Sequence, residues 1–138
     1  MSTTKKFPFV SFEAGAPERP LVPFDFPVGK NVYCLIDSGA SSSLMSEEFM
    51  RHENIKLRRG CRPQTAEGIC GKNCLKIIGE TEPVPMKIIG LSKTFELSFI
   101  VISKKHGLGR PIIGQNLFQE FKVGFGKDGK KLYTIIKS

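Results

Sequence analysis

Asp37-Ser38-Gly39-Ala40 sets a carboxylate on a turn of small residues directly after an apolar run, Val32-Tyr33-Cys34-Leu35-Ile36. A core strand of that composition delivers the carboxylate to its end. One carboxylate alone does little chemistry. Two that share a proton can activate a water: the ionised one takes a proton from it, and the protonated one donates to a carbonyl oxygen. The chain has a single Asp-Ser-Gly. A paired site therefore needs a second copy of the chain, with a two-fold axis bringing the same residue of both copies together. Carboxylates held at such range resist double ionisation and titrate as a pair.

Other reactive residue types are sparse. Cys34 lies inside the apolar run and reads as a buried free thiol. Cys61, Cys70 and Cys74 lie close together, but neither His52 nor His106 joins them by spacing. They fall short of the four ligands of a structural zinc site, so no metal and no cofactor is expected. An even number of cysteines permits disulfides without establishing them. Net charge is +8, from 21 basic and 13 acidic side chains. The basic residues are scattered, as in Lys56, Arg58 and Arg59 or Lys104 and Lys105. They read as a basic surface, and a dedicated nucleic-acid module is absent from the pattern.

The elements that must position Asp37 follow from turn residues and alternation. The 138 residues suit one compact domain, and 40% hydrophobic with 25% charged residues is globular composition. No apolar run reaches the length of a membrane span, and the N-terminus lacks the apolar stretch of a secretory signal. Residues 1–6 read as a tail, and residues 1–20 as that tail plus a first strand. Residues 21–138 form the domain proper. Leu21 to Phe26 reads as a strand, with Pro23 marking an edge or irregular position. Ser46 can cap a brief helix over Glu47 to Arg51. Strands are expected at Leu75 to Ile78, Val84 to Ile89, Phe95 to Ile102 and Pro111 to Ile113. Asn116 to Phe121 reads as a helix capped by Asn116. A terminal hairpin turns at Gly126 to Gly129. Many short strands favour an all-β barrel or sandwich.

The order and type of these motifs resemble the retropepsins, the retroviral and retrotransposon-type aspartic proteases, from Leu21 to about Phe125. Three pieces carry the resemblance. Leu35-Ile36-Asp37-Ser38-Gly39-Ala40 is similar to the catalytic turn. Gly68-Ile69-Cys70-Gly71 is similar to the glycine-rich flap. Ile112-Ile113-Gly114-Gln115-Asn116-Leu117-Phe118 is similar to the apolar-apolar-Gly strand and the helix after it. The resemblance implies an all-β, single-lobed acid-protease fold: a closed barrel with a flap hairpin and one short C-terminal helix. It implies a homodimeric aspartic endopeptidase acting on extended peptides, such as polyprotein sites with apolar flanking residues.

In that reading Asp37 is catalytic. Ser38 ties the two active-site loops, Gly39 allows close approach and Ala40 keeps the floor small. Thr65, Ala66, Glu67, Gly68, Ile69, Cys70 and Gly71 form the flap over the substrate. Ser41, Ile112, Ile113 and Gly114 line the cleft. Many retroviral members pair an Asp after the alanine with an Arg after the Ile-Ile-Gly. Here Ser41 and Gln115 hold those positions, and a neutral hydrogen-bonded contact between them could replace the ion pair. The implied partners are a second copy and a peptide or polyprotein. Nucleic acid would be met only through the basic surface or a parent polyprotein, and no membrane is involved. The implied setting is the cytoplasm or a retroelement particle. The competing function is a catalytically silent dimerisation or peptide-binding module on the same fold.

Overall fold

Apolar runs separated by glycine, proline and asparagine become strands along most of the chain. The computed structural model describes residues 3–60, 64–65, 76–103 and 109–138. In chain order the strands are β1 (Thr4–Pro8), β2 (Leu21–Asp25), β3 (Val32–Ile36), β4 (Ser43–Ser46), β5 (Gln64–Thr65), β6 (Lys76–Glu80), β7 (Val84–Ile88), β8 (Thr94–Leu97), β9 (Phe99–Ile102), β10 (Ile112–Ile113), β11 (Lys122–Asp128) and β12 (Lys131–Lys137). Helix α1 (Glu47–His52) follows β4, and a 3-10 turn (Gln115–Gln119) follows β10. Alternation sets the inward face: Val84, Met86 and Ile88 of β7 are buried while Pro85 and Lys87 are exposed. Phe24, Phe26, Met45, Phe99 and Ile113 meet in the core. Each such side chain contributes about 1.5–3 kcal/mol of burial.

The large sheet runs β5-β6-β9-β4-β10-β3-β2-β7-β8. Its two end strands, β5 and β8, do not pair with each other, so the sheet is an open, curled half-barrel. This overturns the closed barrel expected from the sequence. The expected C-terminal helix is corrected as well. Gln115–Gln119 makes only a 3-10 turn, with no side-chain cap, and the one α-helix among the described residues is the internal α1. Asn116 cannot serve as a cap because its carboxamide is engaged elsewhere: it bonds the Ser43 hydroxyl and donates to the Ser98 carbonyl at 3.0 Å.

Two further readings change. Pro23 lies in a central strand, since β2 sits between β3 and β7. The missing N–H is tolerated because the β7 ladder begins only at Phe24. Residues 4–6, read as tail, belong to β1. That strand pairs with β12 from Thr4↔Lys137 to Pro8↔Tyr133, and β12 pairs on its other side with β11. Thr3 and Ser138 meet there: Ser138 N–H donates to the Thr3 carbonyl at 3.0 Å.

One buried carboxylate locks the turn that leads into β3. Glu53, at the end of α1, is 2% exposed. It accepts the backbone N–H of Val28 at 3.0 Å and of Gly29 at 2.9 Å. A Cβ on Gly29 would stand 2.7 Å from its Oε2, so only glycine lets the turn come this close. Glu53→Ala should lower stability by about 3 kcal/mol, because the N–H groups of Val28 and Gly29 both lose a charged acceptor. Urea unfolding measures it, and an unchanged midpoint would mean the clamp carries no stability.

Candidate active site

The Asp37 turn begins where β3 ends, and its position is set by β10 alongside. Those strands run parallel, with Ile112 opposite Leu35 and Ile113 opposite Ile36. The ladder continues one step into the turn: Asp37 N–H donates to the Ile113 carbonyl at 2.9 Å. Inside the turn, Gly39 N–H donates to Asp37 Oδ1 at 3.0 Å and Ala40 N–H to the Asp37 carbonyl at 3.2 Å. The carboxylate is thus aimed by its own loop. It is half-buried, with Ser38 and Gly39 exposed beside it and Ala40 half-buried.

A second set of bonds ties the turn to the segment after β10. Gln115 N–H donates to the Ala40 carbonyl at 2.8 Å, and Gln115 Nε2 to the Ser38 carbonyl at 2.9 Å. Gln115 therefore latches the Asp37 turn through the backbone carbonyls of Ser38 and Ala40, and does not make the contact with Ser41 that the sequence had suggested. Ser41 is exposed. Gly114 lies between these bonds, and its N–H donates to the Ser43 hydroxyl at 3.0 Å. A Cβ there would meet the Ala40 carbonyl oxygen at 2.6 Å and crowd the Ser42 carbonyl as well. Space, and not an unusual φ, demands glycine.

Ser43 and Asn116 support the site without having been read as part of it. Ser43 is fully buried on β4 and bridges Gly114 to Asn116. Nothing in the Ser41-Ser42-Ser43 run marks the third serine as different, because its partners lie more than seventy residues away. Ile113 is fully buried in the core, whereas Ile112 is half-buried and lines a surface depression of about 690 Å³ together with Leu35. Thr65 ends β5; Ala66, Glu67, Gly68, Ile69, Cys70 and Gly71 lie outside the described residues, as do Cys61 and Cys74.

Among the described residues Cys34 is the one cysteine. Cys34 is buried behind the turn, and burial pushes its thiol well up from the ordinary range, with the Arg110 charge opposing only in part. It stays a protonated thiol and packs as a small apolar group. Among the described residues, no group of three or more His, Cys, Asp or Glu is placed to hold a metal ion. No helix there is long and apolar enough to cross a membrane.

This architecture has the fold of the retropepsin-like aspartic proteases. A retroviral protease-like domain of Ddi1 from Leishmania major superposes with a TM-score of 0.55 at 19% identity, covering 83% of this chain and 91% of that one. A retropepsin-like aspartic protease from Rickettsia conorii gives 0.54 at 16% identity, over 100% of this chain and 96% of that one. The EIAV protease complexed with the inhibitor HBY-793 gives 0.51 at 18% identity, over 80% and 93%. At these identities the likeness is one of fold. No protein-family model matches the sequence, and no curated protein is detectably similar to it.

Proposed function

We propose that the chain is an aspartic endopeptidase that works as a homodimer on extended peptides. The observation that carries this reading is the Asp37 turn: a half-buried carboxylate, aimed by Gly39 N–H and latched through Gln115, on a fold like that of retropepsin-like proteases. One copy supplies one acid. Two copies about a two-fold axis supply the pair.

In the paired site one Asp37 is ionised and the other protonated. The ionised carboxylate takes a proton from a bound water as the water oxygen attacks the peptide carbonyl carbon. The protonated carboxylate gives its proton to the carbonyl oxygen, and a gem-diol forms. The pair then returns a proton to the peptide nitrogen, the C–N bond breaks, and an acid and an amine leave. No covalent enzyme intermediate arises. One backbone donor, Gly39 N–H, holds the carboxylate, and among the described residues no Lys or Arg pairs with it, so its charge remains free to act as base.

A peptide pool incubated at about pH 5 tests the reading. Cleavage is expected, with specific activity rising with protein concentration as the dimer fills. Cleavage by a species that sediments as a single chain would overturn the paired site. A folded dimer that binds peptides and cleaves none would favour the silent module.

A further inference from the structure

Strand alternation puts Tyr33, Leu35 and Asp37 on one face, at steps of about 7 Å. Each of the three has a different neighbour. Tyr33 is covered by Phe12, with ring centroids 4.9 Å apart. Leu35 lies in the depression of about 690 Å³, beside its strand partner Ile112 and the buried Leu21. Asp37 is the acid. The depression therefore lies one step along the strand from the carboxylate and on the same face.

Two guanidinium groups stand at this depression. Arg110 lies over the Phe12 ring, 4.6 Å from its centroid, so the aromatic side chain that covers Tyr33 also orients the cation. Arg19 is fixed at its backbone by the reciprocal pair with Val10, at 3.0 and 2.9 Å. Both arginines are exposed. Among the described residues neither has a carboxylate at ion-pair distance. Glu13 is the single acidic residue of the lining, which leaves one net positive charge above a floor of leucine and isoleucine.

We propose that this depression selects acidic peptides: an apolar side chain fills the floor formed by Leu35, Ile112 and Leu21, and a Glu or Asp within two residues of it pairs with Arg19 or Arg110. The proposal rests on the endopeptidase reading and names its substrate class. An extended peptide alternates as the strand does, so a side chain in the depression places the neighbouring peptide bond toward Asp37. The apolar floor distinguishes such a ligand from a simple polyanion, which would gain nothing from it. The planar guanidinium fork suits a carboxylate.

The test uses matched short peptides with Leu or Phe at the cleaved bond and Glu, Gln or Lys at each position within two residues of it. Wild-type protein is expected to cleave the Glu peptides roughly tenfold better in kcat/KM than the Gln peptides at low salt. The gap should close when Arg19→Gln and Arg110→Gln are combined, and Arg110→Glu should favour the Lys peptides. Equal kcat/KM for Glu and Gln peptides would overturn the proposal and leave the endopeptidase standing. Fluorescein-labelled copies of the same peptides, bound to Asp37→Asn protein, separate the two failures. Arginine-dependent preference for Glu peptides, with no cleavage by the wild type, would keep the acidic-peptide site and remove the endopeptidase. Displacement of the Glu peptide by an oligonucleotide, with the same arginine dependence, would overturn the proposal in favour of a polyanion site.

Discussion

Asp37→Asn is expected to abolish peptide cleavage, by at least about a thousandfold, while leaving the protein folded. The magnitude follows from removing both the base and the acid from a general acid–base step, because one substitution changes both copies. Retention of the fold follows from the local bonds. The asparagine carbonyl can still accept Gly39 N–H, and the backbone of residue 37 still donates to the Ile113 carbonyl. Stability should stay within about 0.5 kcal/mol of the wild type. Cleavage of the peptide pool and thermal unfolding are measured side by side. Normal turnover by the variant would end the dyad reading. Loss of activity together with loss of the fold would show that Asp37 is a structural turn residue.

Gly114→Ala is the second large effect, and it acts on both fold and activity. The new methyl group would lie 2.6 Å from the Ala40 carbonyl oxygen. That oxygen cannot swing aside cheaply, because it accepts Gln115 N–H. The Gly114 N–H is itself held by buried Ser43. Relief must come from moving the Asp37 turn away from β10. Overpacking of this kind costs about 3 kcal/mol. A displaced turn should also lower kcat more than it raises KM, because a shift of about 1 Å in a reacting group is felt at the transition state. Urea unfolding and steady-state cleavage check the two parts. An unchanged midpoint with full activity would mean that the turn has more room than its bonds imply.

The sequence revealed local order and hid what depends on distant partners. Val32–Ile36 and the existence of the terminal hairpin were legible because apolar runs bounded by turn residues need no outside information, but the turn expected over Gly126 to Gly129 lies further on, since Gly126 to Asp128 are laddered to β12. Phe95 to Ile102 read as one strand, yet it breaks at Ser98 into β8 and β9. β8 pairs with β7 while β9 pairs with β6 and β4, a division of partners that alternation cannot express. β4 was invisible because a serine-rich segment looks like a loop; Ser43–Ser46 becomes a strand by parallel pairing with Phe99–Ile102. Lys5 and Lys6 looked like a solvated tail, and they are exposed on β1, but the backbone beneath them is laddered to β12.

At the candidate site, Asp37, Gly39 and Gly114 were singled out through the resemblance, and the structure brings the segments that hold them together. The latch from Gln115 to Ser38 could not, since it replaces an expected contact with Ser41 by one to a backbone carbonyl. The closed barrel was expected from resemblance, and whether a sheet's end strands meet is a global property that no short motif encodes.

Thr3 and Ser138 touch through three hydrogen bonds, which carry the β1–β12 ladder one pair beyond Thr4↔Lys137. Strand β12 is therefore stitched along both borders, by β1 on one and β11 on the other, so neither neighbour can peel away without leaving the β12 backbone unpaired on that side.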